Sequence, residues 1–252
     1  MLNVAHRGAR RLALENTIES LRIAYEEAAD GVEFDVQLTA DSEPVLFHDD
    51  TLEAFCGRRE RVCDLPWREL RALELRDRNG FRGSMPHLDA AIELLEARGG
   101  FRNLELKVVA GTARRLADAV LRRLAPLPAQ GWWVSSFDRV ALEAFGAGML
   151  EIPLGALIDD RGGDYAGLAQ SGPRAMGAVA DACRRVGPRL TAVHPFYGHV
   201  DDARMMLWAG AGMAVHTWTV NDPAGWRKMR AAGVAACITD DPVGLRDLRE
   251  ES

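Results

Sequence analysis

Short apolar runs and amphipathic stretches alternate along the whole of this 252-residue sequence. Such runs indicate buried strands, and the stretches between them have helical periodicity. Strands that alternate with helices predict a parallel sheet built from βαβ units. The strand-like runs are residues 2–5, 32–38, 45–47, 103–108, 132–135, 154–158, 190–193, 213–220 and 235–239, and the helical patterns are residues 17–29, 88–97, 113–124, 138–145, 175–186, 201–209 and 224–231.

Eight principal strands in this order favour an α/β fold of the (β/α)8 or TIM barrel type. An open doubly wound sheet is the alternative, but the Gly-rich turn that often follows its first strand is missing. The segment between residues 47 and 88 does not fit the strand–helix rhythm, because it is polar, rich in turn residues and has one short helical pattern at 66–73. We therefore expect a single domain over residues 1–252, with a small insertion after the second strand at about residues 49–87.

Charge and composition exclude several classes of protein. The formal net charge of −6 and the pI of about 5.6 argue against a protein that binds nucleic acid or anionic membranes, which needs clustered positive charge. No apolar run reaches the ~18 residues that span a bilayer, and no secretory signal is visible. The four cysteines lack the spacing of a zinc site and are expected to be free thiols. A cytoplasmic enzyme or binding protein without stable membrane association is the expectation.

Polar side chains occupy one face of two predicted strands. Successive strand residues point to opposite sides, so alternate positions share a face, and in both strands the other face is apolar. In a barrel the outward face packs on helices and must be apolar, so the polar face points inward; an open sheet with one wet face is the alternative. The polar residues are Glu33, Asp35 and Gln37 in strand 32–38, and Asn103, Glu105 and Lys107 in strand 103–108.

Three carboxylates on neighbouring inward faces are costly unless they are paired or bind a metal ion. Glu33, Asp35 and Glu105 form an oxygen-rich set suited to a hard divalent cation such as Mg²⁺ or Ca²⁺. His6 and His48 each follow a predicted strand, at the end of the barrel where active sites of this fold lie. A single histidine at such a position is more often structural, but two beside a carboxylate set indicate a site.

Lys107 is one of only two lysines, with Lys228, among the 31 basic residues. An inward lysine beside Glu105 either contacts an anionic ligand or serves as a charge partner for Glu33 or Glu105 in an empty barrel.

Nine short segments of the sequence match those of a known protein family. The segments are AHRG (5–8), ENT (15–17), GVEFDVQLT (31–39), PVLFHDDTL (44–52), MPHLDAAIELL (85–95), LELK (104–107), SSF (135–137), WTVN (218–221) and ITDDP (238–242). They occur in the family's order and reach from residue 5 to residue 242. The sequence thus resembles the glycerophosphodiester phosphodiesterase family.

The resemblance implies a (β/α)8 barrel with a small insertion and a metal-dependent active site. It implies metal ligands at Glu33, Asp35 and Glu105, with Mg²⁺ or Ca²⁺ as the cofactor. It also implies that His6 and His48 are the catalytic histidines, one acting as base and the other as acid.

Substrate contacts follow from the same resemblance. Phosphate contacts are implied for Arg7 and Lys107, and contact with the rest of the substrate for Trp218. The implied reaction hydrolyses a small-molecule glycerophosphodiester to sn-glycerol 3-phosphate and an alcohol. The sequence departs from the family at residues 53–56 of the insertion, which bears on the choice of alcohol.

Two rival functions stay open at this point. A lysophospholipase D or cyclising phospholipase of related barrel design would need an apolar surface for an acyl chain, and Phe55, Trp67 and Phe81 are candidates unless they form a small core of their own. A non-catalytic barrel that binds phosphorylated ligands would be favoured by loss of a histidine or carboxylate, and none is lost.

Other polar residues have simpler interpretations. His194, at the end of strand 190–193, is a candidate substrate contact, and His216 is either core packing or site lining. His87 precedes a helix, and Asp49 and Asp50 are interpreted as turn or cap residues.

Overall fold

The structure is a computed structural model that describes residues 1–148, 151–159, 163–170 and 173–250. Strands and helices alternate through most of the chain. The strands are β1 (Leu2–His6), β2 (Gly31–Leu38), β3 (Pro44–Leu46), β4 (Leu75–Arg76), β5 (Arg82–Gly83), β6 (Phe101–Leu106), β7 (Trp132–Ser136), β8 (Leu154–Ile158), β9 (Leu190–Pro195), β10 (Ala214–Thr217) and β11 (Ala236–Thr239). The helices are α1 (Ile18–Glu26), α2 (Glu53–Cys56), α3 (Trp67–Leu70), α4 (Leu88–Arg98), α5 (Ala113–Leu124), α6 (Arg139–Gly146), α7 (Pro173–Val186), α8 (Asp202–Gly210), α9 (Pro223–Ala231) and α10 (Pro242–Glu250).

Eight parallel strands form a closed barrel. They follow the order β1, β2, β6, β7, β8, β9, β10 and β11, and β1 pairs with both β2 and β11, which closes the ring. The short strand β3 adds to β2 in the antiparallel direction. The predicted TIM barrel is therefore confirmed.

Most strands differ by a few residues from their predicted bounds, and in two of them the difference places a predicted site residue beyond the strand. The run at 103–108 is observed as Phe101–Leu106, so Lys107 lies one residue beyond the strand. Its backbone N–H still donates to the carbonyl of Val36 at 2.9 Å, which keeps the chain aligned with β2 at this point. The run at 213–220 is shorter, Ala214–Thr217, so Trp218 also follows its strand.

The outward faces of the strands pack on the helices. Val32, Phe34 and Val36 of β2 lie in one buried cluster with Leu21 of α1 and Leu116 of α5. This leaves the other side chains of β2 to point into the barrel, although every residue of the strand is buried. The apolar residues on alternate positions thus fix which way the carboxylates point.

Side-chain caps begin several of the helices. Thr17 and Ser20 form a reciprocal capping box at the start of α1. Asp138, Asp201 and Asp222 each accept a hydrogen bond from a backbone N–H in the first turn of α6, α8 and α9.

The segment between β3 and α4 has a small core of its own. It contains α2, α3, the two-stranded ribbon of β4 and β5, and a short 3-10 turn at Val62–Asp64. Phe55, Trp67 and Phe81 pack against this satellite core. They are not among the residues that line the large cleft at the barrel mouth, so the structure supports the packing interpretation of these aromatic residues.

A buried histidine pair fills part of the barrel interior. His216 Nδ1 lies 3.0 Å from His194 Nε2, and the His216 ring packs edge-on against Phe101 and Trp133. Gly155 makes room for the pair, because a Cβ there would lie 2.3 Å from His194 Nε2.

All four cysteines are free thiols. Within the part of the chain that the structure describes, no helix is long and apolar enough to cross a membrane.

Candidate active site

A cleft of about 840 Å³ opens at the carboxyl-terminal ends of the barrel strands. Seven of the eight residues predicted for the site line it, and Asp35, which is 1% exposed, lies beneath them. One wall is charged, and the opposite wall is mainly aromatic and aliphatic, with Asp159 among its lining residues. The charged wall contains His6, Arg7, Glu33, His48, Glu105 and Lys107, and the apolar wall contains Phe137, Leu157, Phe196, Trp218 and Ile238.

Three buried carboxylates lie at the base of the charged wall. Glu33 and Asp35 come from β2 and Glu105 from β6, which is hydrogen-bonded to β2 with Asp35 opposite Glu105. Each carboxylate offers one oxygen, and the three oxygens lie within 4.8 Å of one another. The two-residue period of neighbouring strands therefore brings the predicted ligands together.

Burial and mutual repulsion control the titration of these carboxyl groups. Burial, with repulsion from Asp35 and Glu105, raises the pKa of Glu33 well above its usual value. Burial also raises the pKa of Glu105, although Lys107 opposes the shift. Burial disfavours the ionised form of Asp35 too, but the Arg7 cation and other nearby positive groups lower its pKa to about 2.

These carboxylates fit a divalent cation. The Asn16 side chain donates a hydrogen bond to Asp35, and the backbone N–H of Arg7 donates one to Glu33. Glu105 Oε1, in contrast, is buried and accepts no hydrogen bond within the described ranges, and the Lys107 ammonium lies 3.5 Å from it as an ion-pair partner. A hard cation bound by the three oxygens would satisfy this atom and offset the repulsion that raises the pKa of Glu33.

The loop between β1 and α1 supports the carboxylates from one side. Arg7 has a positive φ of 56°, its side chain donates to Glu15 at 2.7 Å, and its Nε lies 3.3 Å from Asp35 Oδ2. Gly8 has a φ of 77°, and a Cβ there would lie 2.6 Å from the backbone carbonyl carbon of Ser20. Only glycine fits this tight turn without a clash with Ser20.

His6 lies at the end of β1 and contacts two carboxylates. Its Nδ1 lies 2.6 Å from Asp240 Oδ1, and its Nε2 lies 3.9 Å from Glu33 Oε2. Burial and the neighbouring Arg7 cation lower the pKa of His6, which favours the neutral ring.

His48 lies two residues after β3 and contacts two charged side chains. Its Nδ1 lies 2.8 Å from Asp49 Oδ1, and its Nε2 lies 3.0 Å from Lys107 Nζ. A lysine ammonium can only donate, so His48 Nε2 accepts from Lys107 and the ring proton is on Nδ1, facing Asp49. Lys107 also pairs with Glu105 at 3.5 Å, and this attraction outweighs burial and raises the pKa of the lysine.

Trp218 forms the centre of the apolar wall. Its Nε1 donates to the carbonyl of His194 at 2.7 Å, which fixes the indole ring. Phe137 and Phe196 pack edge-on against it, with ring centroids 5.6 and 5.9 Å away. This rigid apolar surface faces the charged wall across the cleft.

The structure corrects two interpretations made from the sequence. The His194 side chain is fully buried against His216 and is not among the cleft-lining residues, so it is not a substrate contact. Its backbone carbonyl oxygen contributes to the site by accepting the hydrogen bond from Trp218. Asp49 is more than a turn residue, because its carboxylate pairs with His48. His87 caps α4 and lies outside the cleft.

Sequence reasoning missed the aspartate that pairs with His6. Asp240 lies within the ITDDP segment that carries the family resemblance, directly after β11. A polar residue that follows a barrel strand is the signal that could have indicated it, as it did for His6 and His48.

Comparison with known proteins agrees with the site. The sequence model of the Glycerophosphoryl diester phosphodiesterase family matches residues 6–243. A glycerophosphodiester phosphodiesterase of Caldanaerobacter subterraneus subsp. tengcongensis is 28% identical over 254 residues, covering 98% of this chain and 97% of the relative.

Solved structures of phosphodiesterases are also similar to this chain. A phosphodiesterase of Oleispira antarctica, in complex with the product sn-glycerol-3-phosphate, has a TM-score of 0.84 and 25% identity over 98% of this chain and 96% of its own. A glycerophosphodiester phosphodiesterase of Thermotoga maritima has a TM-score of 0.74 and 26% identity over 99% of both chains.

The barrel and its cleft define an enzyme of the phosphoric diester hydrolase class. The chain belongs to the glycerophosphoryl diester phosphodiesterase family, whose model covers nearly all of it. The family predicted from the sequence is confirmed.

Proposed function

We propose that this chain hydrolyses glycerophosphodiesters to sn-glycerol 3-phosphate and an alcohol with the help of a divalent cation. The observation that supports this most directly is the cluster of Glu33, Asp35 and Glu105 in a cleft that also contains His6 and His48. The product complex of the Oleispira antarctica relative supports sn-glycerol 3-phosphate as the product.

Glu33, Asp35 and Glu105 are the residues that would hold the cation. All three offer hard oxygen atoms, which favours Mg²⁺ or Ca²⁺. When bound, the cation supplies Lewis-acid polarisation of a phosphoryl oxygen.

The two histidines are proposed to transfer protons. One removes a proton from the attacking water or glycerol hydroxyl, and the other protonates the leaving oxygen. Each ring offers Nε2 for this purpose, since Nδ1 of His6 contacts Asp240 and Nδ1 of His48 contacts Asp49. Lys107 Nζ contacts His48 Nε2 in this structure. When the phosphate binds, Lys107 must therefore move away from this nitrogen or contact the nitrogen and the phosphate together.

Arg7 and Lys107 are proposed to contact the phosphate. Both cationic side chains line the cleft beside the carboxylate cluster, and Lys107 forms an ion pair with Glu105. The Arg7 side chain also donates a hydrogen bond to Glu15, which fixes its position beside the carboxylates. Trp218 is proposed to pack against the non-phosphate part of the substrate on the opposite wall.

We propose that residues 1–252 act as one catalytic domain in which the insertion at about 49–87 affects the choice of alcohol. Only its first residues, Asp49, Asp50 and Thr51, are among those that line the cleft of the described structure. They lie beside His48, so an alcohol that leaves on that side meets a polar, acidic rim.

Product analysis with and without chelator tests the function. The pure protein is given glycerophosphocholine, glycerophosphoethanolamine or lysophosphatidylcholine, and the phosphate product is identified. We expect sn-glycerol 3-phosphate from the first two substrates, loss of activity in EDTA, and recovery with Mg²⁺ or Ca²⁺. Full activity after exhaustive dialysis against EDTA would contradict the metal proposal.

The substrate series also separates the rival functions. Cleavage of lysophosphatidylcholine in preference to both glycerophosphodiesters would favour a lysophospholipase D. A cyclic phosphate product would identify the glycerol hydroxyl as the nucleophile. Binding of substrate without turnover by the metal-loaded protein would indicate a non-catalytic barrel.

A further inference from the structure

Asp240 follows β11 and lies at the same end of the barrel as His6, because β11 and β1 are hydrogen-bonded neighbours. The two residues are 234 positions apart, yet Asp240 Oδ1 lies 2.6 Å from His6 Nδ1. We propose that Asp240 is a positioning residue for the reaction, which holds the His6 ring with Nδ1 protonated and Nε2 directed into the cleft. This proposal rests on the proposed function, in which His6 transfers a proton.

The chemistry of this contact determines the tautomer of His6. An ionised carboxylate only accepts hydrogen bonds, so His6 Nδ1 must donate, and a neutral imidazole has a single N–H. Nε2 of the neutral ring therefore has no proton, and it faces Glu33 at 3.9 Å. Without this hydrogen bond the imidazole ring is free to flip and to present either nitrogen to the cleft.

Asp240 is itself held by two neighbours. Asn221 Nδ2 donates to Asp240 Oδ2 at 2.8 Å, and Asn221 Oδ1 accepts from the Asp240 backbone N–H at 2.8 Å. The Arg10 guanidinium lies 3.5 Å from Oδ1, the oxygen that contacts His6. Burial opposes ionisation of Asp240, but its bond with His6 and the nearby Arg10 cation keep its pKa below the usual value. Both oxygens of the carboxylate thus have fixed partners, so Asp240 can orient the ring.

Asp241 provides a matched control in the same segment. Its side chain pairs with Arg11, and its Oδ1 accepts from the backbone N–H of Gly244 in the first turn of α10 at 3.1 Å. It is therefore also a hydrogen-bonded carboxylate, but it is not among the cleft-lining residues.

The tautomer of His6 is measured by NMR with ¹⁵N-labelled histidine, at pH 8 and with Mg²⁺ present. The His6 signals are assigned by their loss in His6→Ala. We expect the Nδ1–H tautomer in the wild type and in Asp241→Asn. Asp240→Asn should lose this preference, because an amide can donate to the ring as well as accept from it. A wild-type His6 ring protonated at Nε2 would overturn the proposal whether or not the protein is active.

Kinetics test whether Asp240 acts through His6. With a glycerophosphodiester that the wild type turns over, we expect Asp240→Asn to lower kcat roughly tenfold or more, with a smaller change in KM. Asp241→Asn should keep kcat close to the wild-type value. In the His6→Ala background, Asp240→Asn should cause no further loss.

An equal loss in both backgrounds would show that Asp240 acts independently of His6, and would overturn the proposal. If none of the glycerophosphodiesters is turned over, the proposed function fails, and the NMR measurement still decides whether Asp240 positions His6.

Discussion

The His194–His216 pair inside the barrel is expected to make the fold sensitive to acid. Burial lowers the pKa of His216 from 6.5 to about 3, and burial together with the neighbouring His216 lowers that of His194 well below 6.5. In the unfolded chain both rings regain a pKa of about 6.5. As pH falls below this value, the unfolded chain binds protons that the folded chain does not, so the free energy of unfolding decreases.

The magnitude follows from the difference between the two states. At pH 5, a histidine that must stay neutral in the fold lowers the free energy of unfolding by about 2 kcal/mol relative to pH 8. The pair together accounts for about 4 kcal/mol, a large share of the roughly 5–15 kcal/mol that stabilises a typical domain.

The test compares the wild type with a His194→Leu/His216→Phe double variant. Both residues are replaced together, because a single replacement would leave the other ring with an unsatisfied polar atom. Urea unfolding is measured at pH 8 and pH 5, and the wild type should lose about 4 kcal/mol more than the double variant over this range. Carboxyl groups such as Glu33 titrate alike in both proteins, so their contributions to the change in the free energy of unfolding cancel in the comparison.

His87→Gln, which removes a histidine outside the barrel, is the control and should keep the acid sensitivity. Equal losses of stability in the wild type and the double variant would refute the reasoning.

Two further predictions concern the cleft. Gly8→Ala should lower the free energy of unfolding by roughly 2 kcal/mol or more, since it places a Cβ against the Ser20 backbone at positive φ; an unchanged melting temperature would contradict this. His48→Ala should lower kcat by roughly 10²–10⁴-fold and keep Mg²⁺ affinity near the wild-type value, whereas Glu105→Gln should weaken Mg²⁺ binding, as measured by calorimetric titration. If His48→Ala loses the ion as completely as Glu105→Gln, His48 is a ligand.

The carboxylate cluster could be predicted from the sequence because it depends on local geometry. The two-residue period of a strand assigns Glu33 and Asp35 to one face, and the apolar residues between them assign the other face to the helices. The same argument applies to Glu105. The structure places all three oxygens together, although β6 begins and ends two residues earlier than predicted.

The depth of a side chain within the barrel could not be predicted in this way. A sequence places His194 near the end of a strand, but the stagger between strands decides whether it reaches the cleft. The pairing of β8 with β9 is irregular between Leu154 and Gly155, and His194 lies against the bare backbone of Gly155. Its side chain is therefore buried, while Trp218, which follows β10, reaches the cleft.

The partner of His6 depends on closure of the barrel, whereas the partner of His48 is its neighbour in the chain. The Asp240 contact exists only because the last strand pairs with the first, so the position of Asp240 after β11 does not by itself identify His6 as its partner. Asp49 is adjacent to His48, and an aspartate after a strand is usually a turn residue.

His6 and His48 thus both have an aspartate partner, but the two partners come from different parts of the chain. Asp240 reaches His6 through closure of the barrel, and Asp49 is adjacent to His48 in the sequence. Each ring has its Nδ1 on a carboxylate, whereas His6 Nε2 faces Glu33 and His48 Nε2 contacts Lys107, so supporting side chains fix the orientation of both rings.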